Sequence, residues 1–293
     1  MNISDVNISE TLKKATEILE RNGIAEPRRE ANSLLAFALG TDKTFLIAHS
    51  EYELSENESE NFQKILTRRA NREPLQYIRG TQEFFGLDFI VTPDVLIPRP
   101  ETELLVESAI EILKKKENPR FCEIGTGSGC ISISILHEVK NATAIGADIS
   151  EKALEMTKLN AEKTSVADRL NLVKSDVFEN IENDKFDLIV SNPPYISIGD
   201  FENLQKEVKN FEPQTALTDN KNGLSIIEKI ISDAPEFLKS DCFLLMEIGF
   251  DQSIDVEKMF DLQIWRSVEF LRDLQGIQRT VKARLNFGRQ QAA

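Results

Sequence analysis

The sequence predicts an α/β protein in which a mostly parallel sheet follows a small N-terminal helical bundle and a β-hairpin linker. Strand-like and helix-like segments alternate from residue 120 onward, which is typical of parallel sheets. Residues 8 to about 73 instead carry apolar side chains at helical spacing. Between them lies a stretch rich in aromatic and β-branched residues. We therefore expect a bundle at 1–75, a linker at 76–98 and a sheet domain at 99–288.

The amino-terminal segment is predicted to form four helices, beginning near Ser9, Pro27, Lys43 and Ser55. The last of these begins with Ser-Glu-Asn-Glu, a capping-box pattern. Short connections between amphipathic helices favour an antiparallel bundle. Nothing in this segment has the character of a catalytic group, so it is either a partner-binding module or a structural one. We favour partner binding.

The linker and the sheet domain are predicted from β-rich and apolar runs. Residues 76–78 and 83–91 are expected to form one or two hairpins, and a helix should follow the prolines at 98 and 100. The strands of the sheet are expected at residues 120–124, 142–148, 170–173, 186–190, 242–248 and 278–285.

Composition excludes several classes of protein. The net charge of −14 argues against a protein that gains affinity by neutralising nucleic-acid phosphates. Three cysteines are too few for a disulfide framework, and no Cys/His cluster has metal-ligand spacing, so we expect no metal. Residues 1–5 lack the basic and apolar regions of a signal peptide, and no window has 18 uninterrupted apolar residues. These features predict a cytoplasmic protein without a membrane partner.

A glycine loop, Gly125-Thr126-Gly127-Ser128-Gly129, follows a predicted strand and precedes a predicted helix. Glycines there allow a tight turn and close approach of a ligand to the backbone. The last glycine comes one residue too early for the dinucleotide fingerprint, and no Gly-Lys-Ser/Thr follows, which excludes a P-loop. Glu123, just before the loop, would repel a pyrophosphate but attract an amine or a sulfonium.

Two acidic residues follow the next two strands. Asp148, with Ile149 beside it, lies where a carboxylate can bind the 2′ and 3′ hydroxyls of a ribose. The alternative is that Asp148 caps the helix beginning near Ser150. Asp176 could accept a hydrogen bond from an adenine amine while Val177 and Phe178 flank the ring, although the segment could also be a simple turn.

The acceptor motif, Asn192-Pro193-Pro194-Tyr195, follows the apolar run 186–191. The run reads as a buried parallel strand, and ligands of α/β proteins bind beyond the carboxyl ends of such strands. Two prolines stiffen the loop. The Asn192 amide oxygen and the Pro193 carbonyl are acceptors, and Tyr195 offers an aromatic face, so together they could receive a planar –NH2 group. The alternative is a proline-rich turn that ends a strand.

A site for a ribose, an adenine and a cationic centre, without a phosphate, fits S-adenosylmethionine, whose demethylated product is S-adenosylhomocysteine. With the glycine loop, Asp148, Asp176 and the acceptor motif in this order, the chain resembles class I methyltransferases. The acceptor motif is similar to that of the branch that methylates planar amino groups. This resemblance implies a Rossmann-like sheet of seven mostly parallel strands, and cofactor-binding roles for Glu123, the glycine loop, Asp148, Ile149, Asp176, Val177 and Asn192.

Further motifs make the chain similar to the PrmC/HemK family of peptide chain release factor glutamine methyltransferases. They include Asn-Arg-Glu-Pro-Leu-Gln-Tyr-Ile at 71–78, Leu-Ile-Pro-Arg-Pro-Glu-Thr-Glu at 96–103, Phe-Glu-Pro at 211–213, Glu-Ile-Gly at 247–249 and the residues of 273–279. The resemblance covers nearly the whole chain. It implies methylation of the glutamine of the Gly-Gly-Gln motif in class 1 release factors by a monomer. Glu123 and Val177 depart from the family, which often has Asp and an aromatic residue there.

The chemistry that we expect is orientation of a weak nucleophile. The Asn192 oxygen and the Pro193 carbonyl would accept hydrogen bonds from the two N–H groups of the substrate amide, with Tyr195 beside the substrate. Residues 96–98 would close the pocket, and Arg99, Glu101 and Glu103 would hold the linker. One alternative is an N6-adenine DNA or RNA methyltransferase, which would flip a base into such a pocket. Another is a non-enzymatic factor that binds S-adenosylmethionine or a translation factor.

Overall fold

A computed structural model describes residues 7–182 and 185–287. The predictions for residues 1–5 and for the domain end at 288 lie outside this part of the chain. The chain divides into two compact units. The helical unit comprises Met1–Gly80 with Gln205–Phe211, and the sheet unit comprises Thr81–Leu204 with Glu212–Ala293.

The α-helices are α1 (Ile8–Arg21), α2 (Pro27–Leu39), α3 (Lys43–Ala48), α4 (Glu56–Ala70), α5 (Leu75–Arg79), α6 (Glu103–Leu113), α7 (Cys130–Glu138), α8 (Glu151–Lys163), α9 (Ile198–Phe201), α10 (Lys206–Phe211), α11 (Ser225–Phe237) and α12 (Ser253–Lys258). The strands are β1 (Thr81–Phe84), β2 (Leu87–Ile90), β3 (Arg120–Ile124), β4 (Thr143–Asp148), β5 (Leu170–Lys174), β6 (Phe186–Ser191), β7 (Leu238–Glu247), β8 (Trp265–Arg272) and β9 (Gln278–Leu285).

Local capping chemistry begins the helices of the helical unit. The Asn7 side chain accepts from the backbone of Glu10 at the start of α1, and Asp42 does the same for α3. Ser55 and Glu58 form the predicted capping box of α4. The four predicted helices are confirmed as α1–α4, and their apolar faces meet in one buried core.

Residues 76–78 were expected to be extended, and this expectation is wrong. They lie in α5, which follows Pro74 and ends at Gly80 in the left-handed conformation. Ile78 packs into the core of the helical unit. Tyr and Ile favour strands, but a buried contact on a helix outweighs that small preference. One hairpin, β1–β2, follows.

The sheet unit contains a seven-stranded sheet in the order β5-β4-β3-β6-β7-β9-β8. Strands β3 to β7 run parallel, and β9 is antiparallel to both β7 and β8. The predicted α/β class and seven mostly parallel strands are confirmed. Separate buried clusters cover the two faces, one with α11 and the other with α6 and α7. Strand order reverses at β3, so the gap between β3 and β6 is where a ligand site is expected.

The segments missed by the sequence reasoning are short or half-exposed. Strand β8 lies at the sheet edge, and most of its side chains are partly exposed, so its apolar pattern is weak. Helices α9 and α10 are too short to give a periodic signal. Among the described residues, no helix is long and apolar enough to cross a membrane.

Candidate active site

A cavity of about 320 Å³ lies at the carboxyl ends of β3, β4, β5 and β6. Its lining includes twelve of the predicted site residues, namely Glu123, Gly125, Thr126, Gly127, Ser128, Asp148, Ile149, Asp176, Val177, Asn192, Pro193 and Pro194. Gly129 and Tyr195 were predicted as site residues but are not part of this lining. The structure thus brings residues from the carboxyl ends of four strands, β3 to β6, and from the loops that follow them to one concave surface.

The glycine loop is shaped by backbone hydrogen bonds to β4. Gly125 and Thr126 donate to the Ala147 carbonyl over 2.8 and 3.2 Å, and Gly125, Gly127 and Gly129 all have positive φ. A Cβ on Gly127 would meet no atom within 4 Å, whereas one on Gly129 would lie 2.7 Å from Thr157 Cγ2. Gly127 therefore leaves cavity space open, and Gly129 allows the loop to pack on α8.

Glu123 is fully buried near the end of β3 and has one oxygen free for a ligand. Its Oε2 accepts from the Ser132 backbone over 3.0 Å, while its buried Oε1 has no hydrogen-bond partner among the described residues. Burial, assisted by the charge of Asp148, raises the pKa of Glu123 to about 8. A buried carboxylate oxygen without a partner is costly, so this site favours a bound cation.

Asp148 holds the glycine loop and still has acceptor capacity. Its Oδ2 accepts from the Gly127 backbone and its Oδ1 from the Ser150 backbone, both over 2.9 Å. Burial raises the pKa of Asp148, opposed by these backbone hydrogen bonds. Ser150 itself caps α8 by accepting from Ala153, so the cap position is not that of Asp148. Each carboxylate oxygen has a second lone pair, and two hydroxyls of a ribose could use them.

Asp176 and Val177 also line the cavity. Lys229 of α11 donates to Asp176 Oδ1 over 3.2 Å, a partner that sequence reasoning missed. Val177 is buried with φ of 54°, a conformation that is rare for a β-branched residue. Phe178 does not line the cavity and stacks on Phe237 at a centroid distance of 4.6 Å.

The acceptor motif follows β6, every residue of which is buried. The Asn192 side-chain nitrogen donates to Thr102 Oγ1 over 3.2 Å, and the Thr102 hydroxyl donates to Glu247 Oε2 over 2.6 Å. The Tyr195 hydroxyl donates to Glu247 Oε1 over 3.0 Å. Thr102 and Glu247 were not singled out as site residues, and no local sequence signal links them to Asn192.

The buried Glu247 carboxyl shapes the electrostatics behind the motif. Burial raises the pKa of Glu247, while the hydrogen bonds from Thr102 and Tyr195 and the charge of Arg279 oppose that rise. Burial and the Glu247 charge also raise the pKa of the Tyr195 hydroxyl, so Tyr195 stays protonated and donates. Tyr195 therefore contacts the interior of the sheet unit through its hydroxyl.

Residues 96–99 are held by a second buried carboxylate, Glu212. Its Oε2 accepts from the Ile97 backbone over 3.2 Å, and its Oε1 pairs with Arg99. Glu103 accepts from the Phe85 backbone over 3.0 Å. Arg99 and Glu103 thus fix neighbouring loops, as expected of residues that hold this segment in place. Within residues 7–182 and 185–287, no three His, Cys, Asp or Glu side chains cluster as metal ligands.

Comparison with known proteins places these features in a family. Family models for the PrmC N-terminal domain and the methyltransferase small domain match residues 10–80 and 101–208. The release factor glutamine methyltransferase of Geobacter sulfurreducens is 39% identical over 267 residues, which cover 91% of this chain and 93% of that protein. The corresponding protein of Fusobacterium nucleatum subsp. nucleatum is 38% identical, with coverage of 92% and 77%.

Two further proteins extend the comparison, one by sequence and one by fold. A bifunctional methyltransferase of Rickettsia conorii is 38% identical, and the chain spans 57% of its length. The hMettl16 catalytic domain, solved in complex with the MAT2A 3'UTR hairpin 6, superposes with a TM-score of 0.57 at 17% identity. That match covers 78% of this chain and 84% of the solved one, and it shows a shared fold.

Proposed function

Because this chain belongs to the release factor glutamine methyltransferase family, we propose that it methylates the glutamine side-chain amide in the Gly-Gly-Gln motif of class 1 peptide chain release factors. S-adenosylmethionine is the methyl donor, and the enzyme is a protein-glutamine N5-methyltransferase. The observation that carries the substrate assignment is that Asn192 and Pro193 of the acceptor motif, which carry an amide oxygen and a prolyl carbonyl as acceptors, both line the cavity.

The residues present fit the cofactor. The unpartnered Oε1 of Glu123 suits a positive charge, and Asp148 retains acceptor capacity for the ribose hydroxyls. The open space beside Gly127 leaves room for close approach. When bound, S-adenosylmethionine supplies an electrophilic methyl group on a sulfonium centre.

The protein's contribution to the chemistry is orientation. An amide nitrogen is a weak nucleophile because its lone pair is delocalised into the carbonyl. The Asn192 oxygen and the Pro193 carbonyl accept hydrogen bonds from its two N–H groups and hold the nitrogen in one position. Positioning of this kind can lower the activation barrier by roughly 7–11 kcal/mol in favourable cases. Both groups are on a loop stiffened by two prolines, so little ordering is needed when the substrate arrives.

The partner assignments follow from this substrate. A release factor is a protein of the translation machinery, so the proposal includes a cytoplasmic location, and the net charge of −14 supports a protein substrate over a nucleic acid. The helical unit, which has no catalytic candidates, is proposed to recognise the release factor. We propose that the enzyme acts as a monomer.

Methyl transfer with labelled S-adenosylmethionine tests this function. The substrates are a purified class 1 release factor, the same factor with its motif glutamine changed to alanine, and adenine-containing DNA and RNA. We expect label in the unaltered release factor alone, located on the glutamine by mass spectrometry. Labelling of the nucleic acid would favour the N6-adenine alternative, and equal labelling of the altered factor would refute the glutamine assignment.

A further inference from the structure

A chain of hydrogen bonds connects the cavity to a fully buried carboxylate behind it. Thr102 and Glu247 are each only 2% exposed. Asn192 Nδ2, Thr102 Oγ1 and Glu247 Oε2 are joined by bonds of 3.2 and 2.6 Å. Neither Thr102 nor Glu247 supplies a group to the substrate in the function proposed above, so their place behind Asn192 needs another explanation.

The direction of these bonds follows from counting hydrogens. A threonine hydroxyl has one hydrogen, and the oxygens of the ionised Glu247, a form that Thr102, Tyr195 and the charge of Arg279 stabilise, can only accept. The short bond between Thr102 and Glu247 therefore uses the hydroxyl hydrogen. Toward Asn192 the same oxygen can then only accept, so the –NH2 end of the Asn192 amide must face Thr102. The amide oxygen of Asn192 consequently points away from Thr102.

This direction matters because the two ends of an asparagine amide are nearly equal in size and can exchange places. In the opposite orientation, Asn192 would present a donor to the substrate –NH2, which also donates. We propose, resting on the function above, that Thr102 and Glu247 are positioning residues that hold the Asn192 amide with its oxygen toward the substrate. They act through Asn192: Glu247 is not part of the cavity lining, and Thr102, which is, has its hydroxyl bonded to both Glu247 and Asn192.

Glu247 suits this role better than a neutral side chain would. Its two oxygens accept from Thr102 and from Tyr195, so one carboxylate holds both ends of the acceptor motif. A glutamine at this position would offer one donor and one acceptor. It could donate to Thr102, which would free the hydroxyl hydrogen to point at Asn192 and reverse the amide.

The test compares two substitutions of Thr102. Thr102→Val keeps the shape and removes the hydroxyl, and we expect kcat on the release factor to fall roughly 10- to 100-fold, as for a misplaced substrate. Thr102→Ser keeps the hydroxyl and should retain most of the activity. Affinity for S-adenosylmethionine, measured by calorimetry, should be unchanged in both. Equal activity of the Val variant and the parent would overturn the proposal.

A double-mutant cycle separates positioning from a general structural role. In an Asn192→Ala background, Thr102→Val should cause no further loss of kcat, because the group that it orients is gone. Independent structural damage would instead multiply the two losses. Multiplied losses therefore count against the proposal.

A spectroscopic readout keeps the inference distinct from the proposed function. In the parent protein, a nuclear Overhauser effect should connect the Asn192 side-chain –NH2 protons with the Thr102 methyl group. Its absence would overturn the proposed orientation even if the release factor is methylated. If the signal is present and the parent does not methylate the release factor, the proposed substrate is wrong and the amide orientation stands.

Discussion

At the scale of single residues, the acceptor motif depends on a polar contact that spans the chain. Asn192 and Thr102 are 90 residues apart, and Thr102 and Glu247 are 145 apart. Because the side-chain donor of Asn192 is already used by Thr102, the two ends of the amide have different tasks. Loss of either end should therefore impair turnover.

Asn192→Ala and Asn192→Asp should be equally inactive. Alanine removes an acceptor for the substrate amide, which should lower kcat about 10²–10³-fold. Aspartate keeps an acceptor but loses the donor to Thr102 and competes with Glu247 for one hydroxyl hydrogen. Steady-state assays on the release factor measure kcat, with calorimetry confirming that S-adenosylmethionine still binds. Near-parental turnover of Asn192→Ala would refute the orientation mechanism.

Glu123 should make cofactor binding depend on pH. Its pKa is raised to about 8 in the cofactor-free protein, so the carboxyl is mostly protonated at pH 7. A bound cation favours the carboxylate, and binding below pH 8 therefore releases a proton. Affinity should rise with pH by up to about tenfold per unit and level off above about pH 8. Calorimetry from pH 6 to 9 measures the slope.

Glu123→Gln is the control for that slope. The variant lacks the titrating group, so any pH dependence that remains belongs to the ligand or to other residues. The folded-state pKa lies above the ordinary value of 4.5, so the cofactor-free parent should also lose stability as pH rises from about 4.5 to 8. Identical slopes for parent and variant would exclude Glu123 as the ionising group.

At the scale of elements, the glycines of the glycine loop serve two purposes, packing and ligand access, which the sequence alone does not distinguish. Gly129 has a packing requirement, since a Cβ there would collide with Thr157. Gly127 has none, and space is open beside it. The same residue type in one short loop thus serves the fold at one position and the ligand at another.

Gly127→Val should weaken cofactor binding more than it weakens the fold. A branched residue at positive φ should lower the free energy of unfolding by about 1–2 kcal/mol, and its side chain would occupy the cavity. Gly276→Val is a matched control, because Gly276 also has positive φ and open space but lies in the turn between β8 and β9. We expect similar denaturation midpoints, with weak S-adenosylmethionine binding in the Gly127 variant alone. Equal affinities would show that the loop is not the cofactor site.

At the scale of the whole molecule, the helical unit includes a segment from far along the chain. Gln205–Phe211 belongs to it, although the residues on both sides belong to the sheet unit. Glu207 of α10 accepts from Arg72 over 3.0 Å and from Arg69 over 3.3 Å. Burial raises the pKa of Glu207, but these arginines outweigh it and hold the pKa below its ordinary value.

Deleting residues 1–80 should therefore release α10 while leaving cofactor binding intact. The partners of Glu207 would be lost, so backbone amides of 206–211 should exchange with solvent faster, measured by hydrogen exchange. S-adenosylmethionine should still bind, because the cavity residues all belong to the sheet unit. We expect a fall in kcat/KM on the release factor that exceeds the change in cofactor affinity.

Glu207→Gln in the full-length chain supplies the milder comparison. It removes one charge from the contact with Arg69 and Arg72 while the rest of the helical unit remains. If the deletion variant and Glu207→Gln show the same fall in kcat/KM on the release factor, the position of α10 accounts for the effect. If neither does, the helical unit is not a recognition element for the release factor.

Local sequence was sufficient to predict the parts of this protein that depend on neighbours along the chain. The capping box at Ser55 is an example, since it joins groups three residues apart. The buried run of β6 predicted a parallel strand with a loop at its carboxyl end, and parallel strand ends meet at one edge. The glycine loop, Asp148 and Asn192 were therefore expected to lie together, and they line one cavity.

Tertiary structure decided what depends on distant groups. Whether residues 76–78 form a strand or a helix depends on the core that receives Ile78. The burial of Glu123, and hence its pKa, depends on surroundings that its own strand does not contain. The direction of the Asn192 amide depends on a single hydroxyl hydrogen 90 residues away. Hydrogen-bond direction and burial are properties of groups brought together by folding, and no spacing along the chain encodes them.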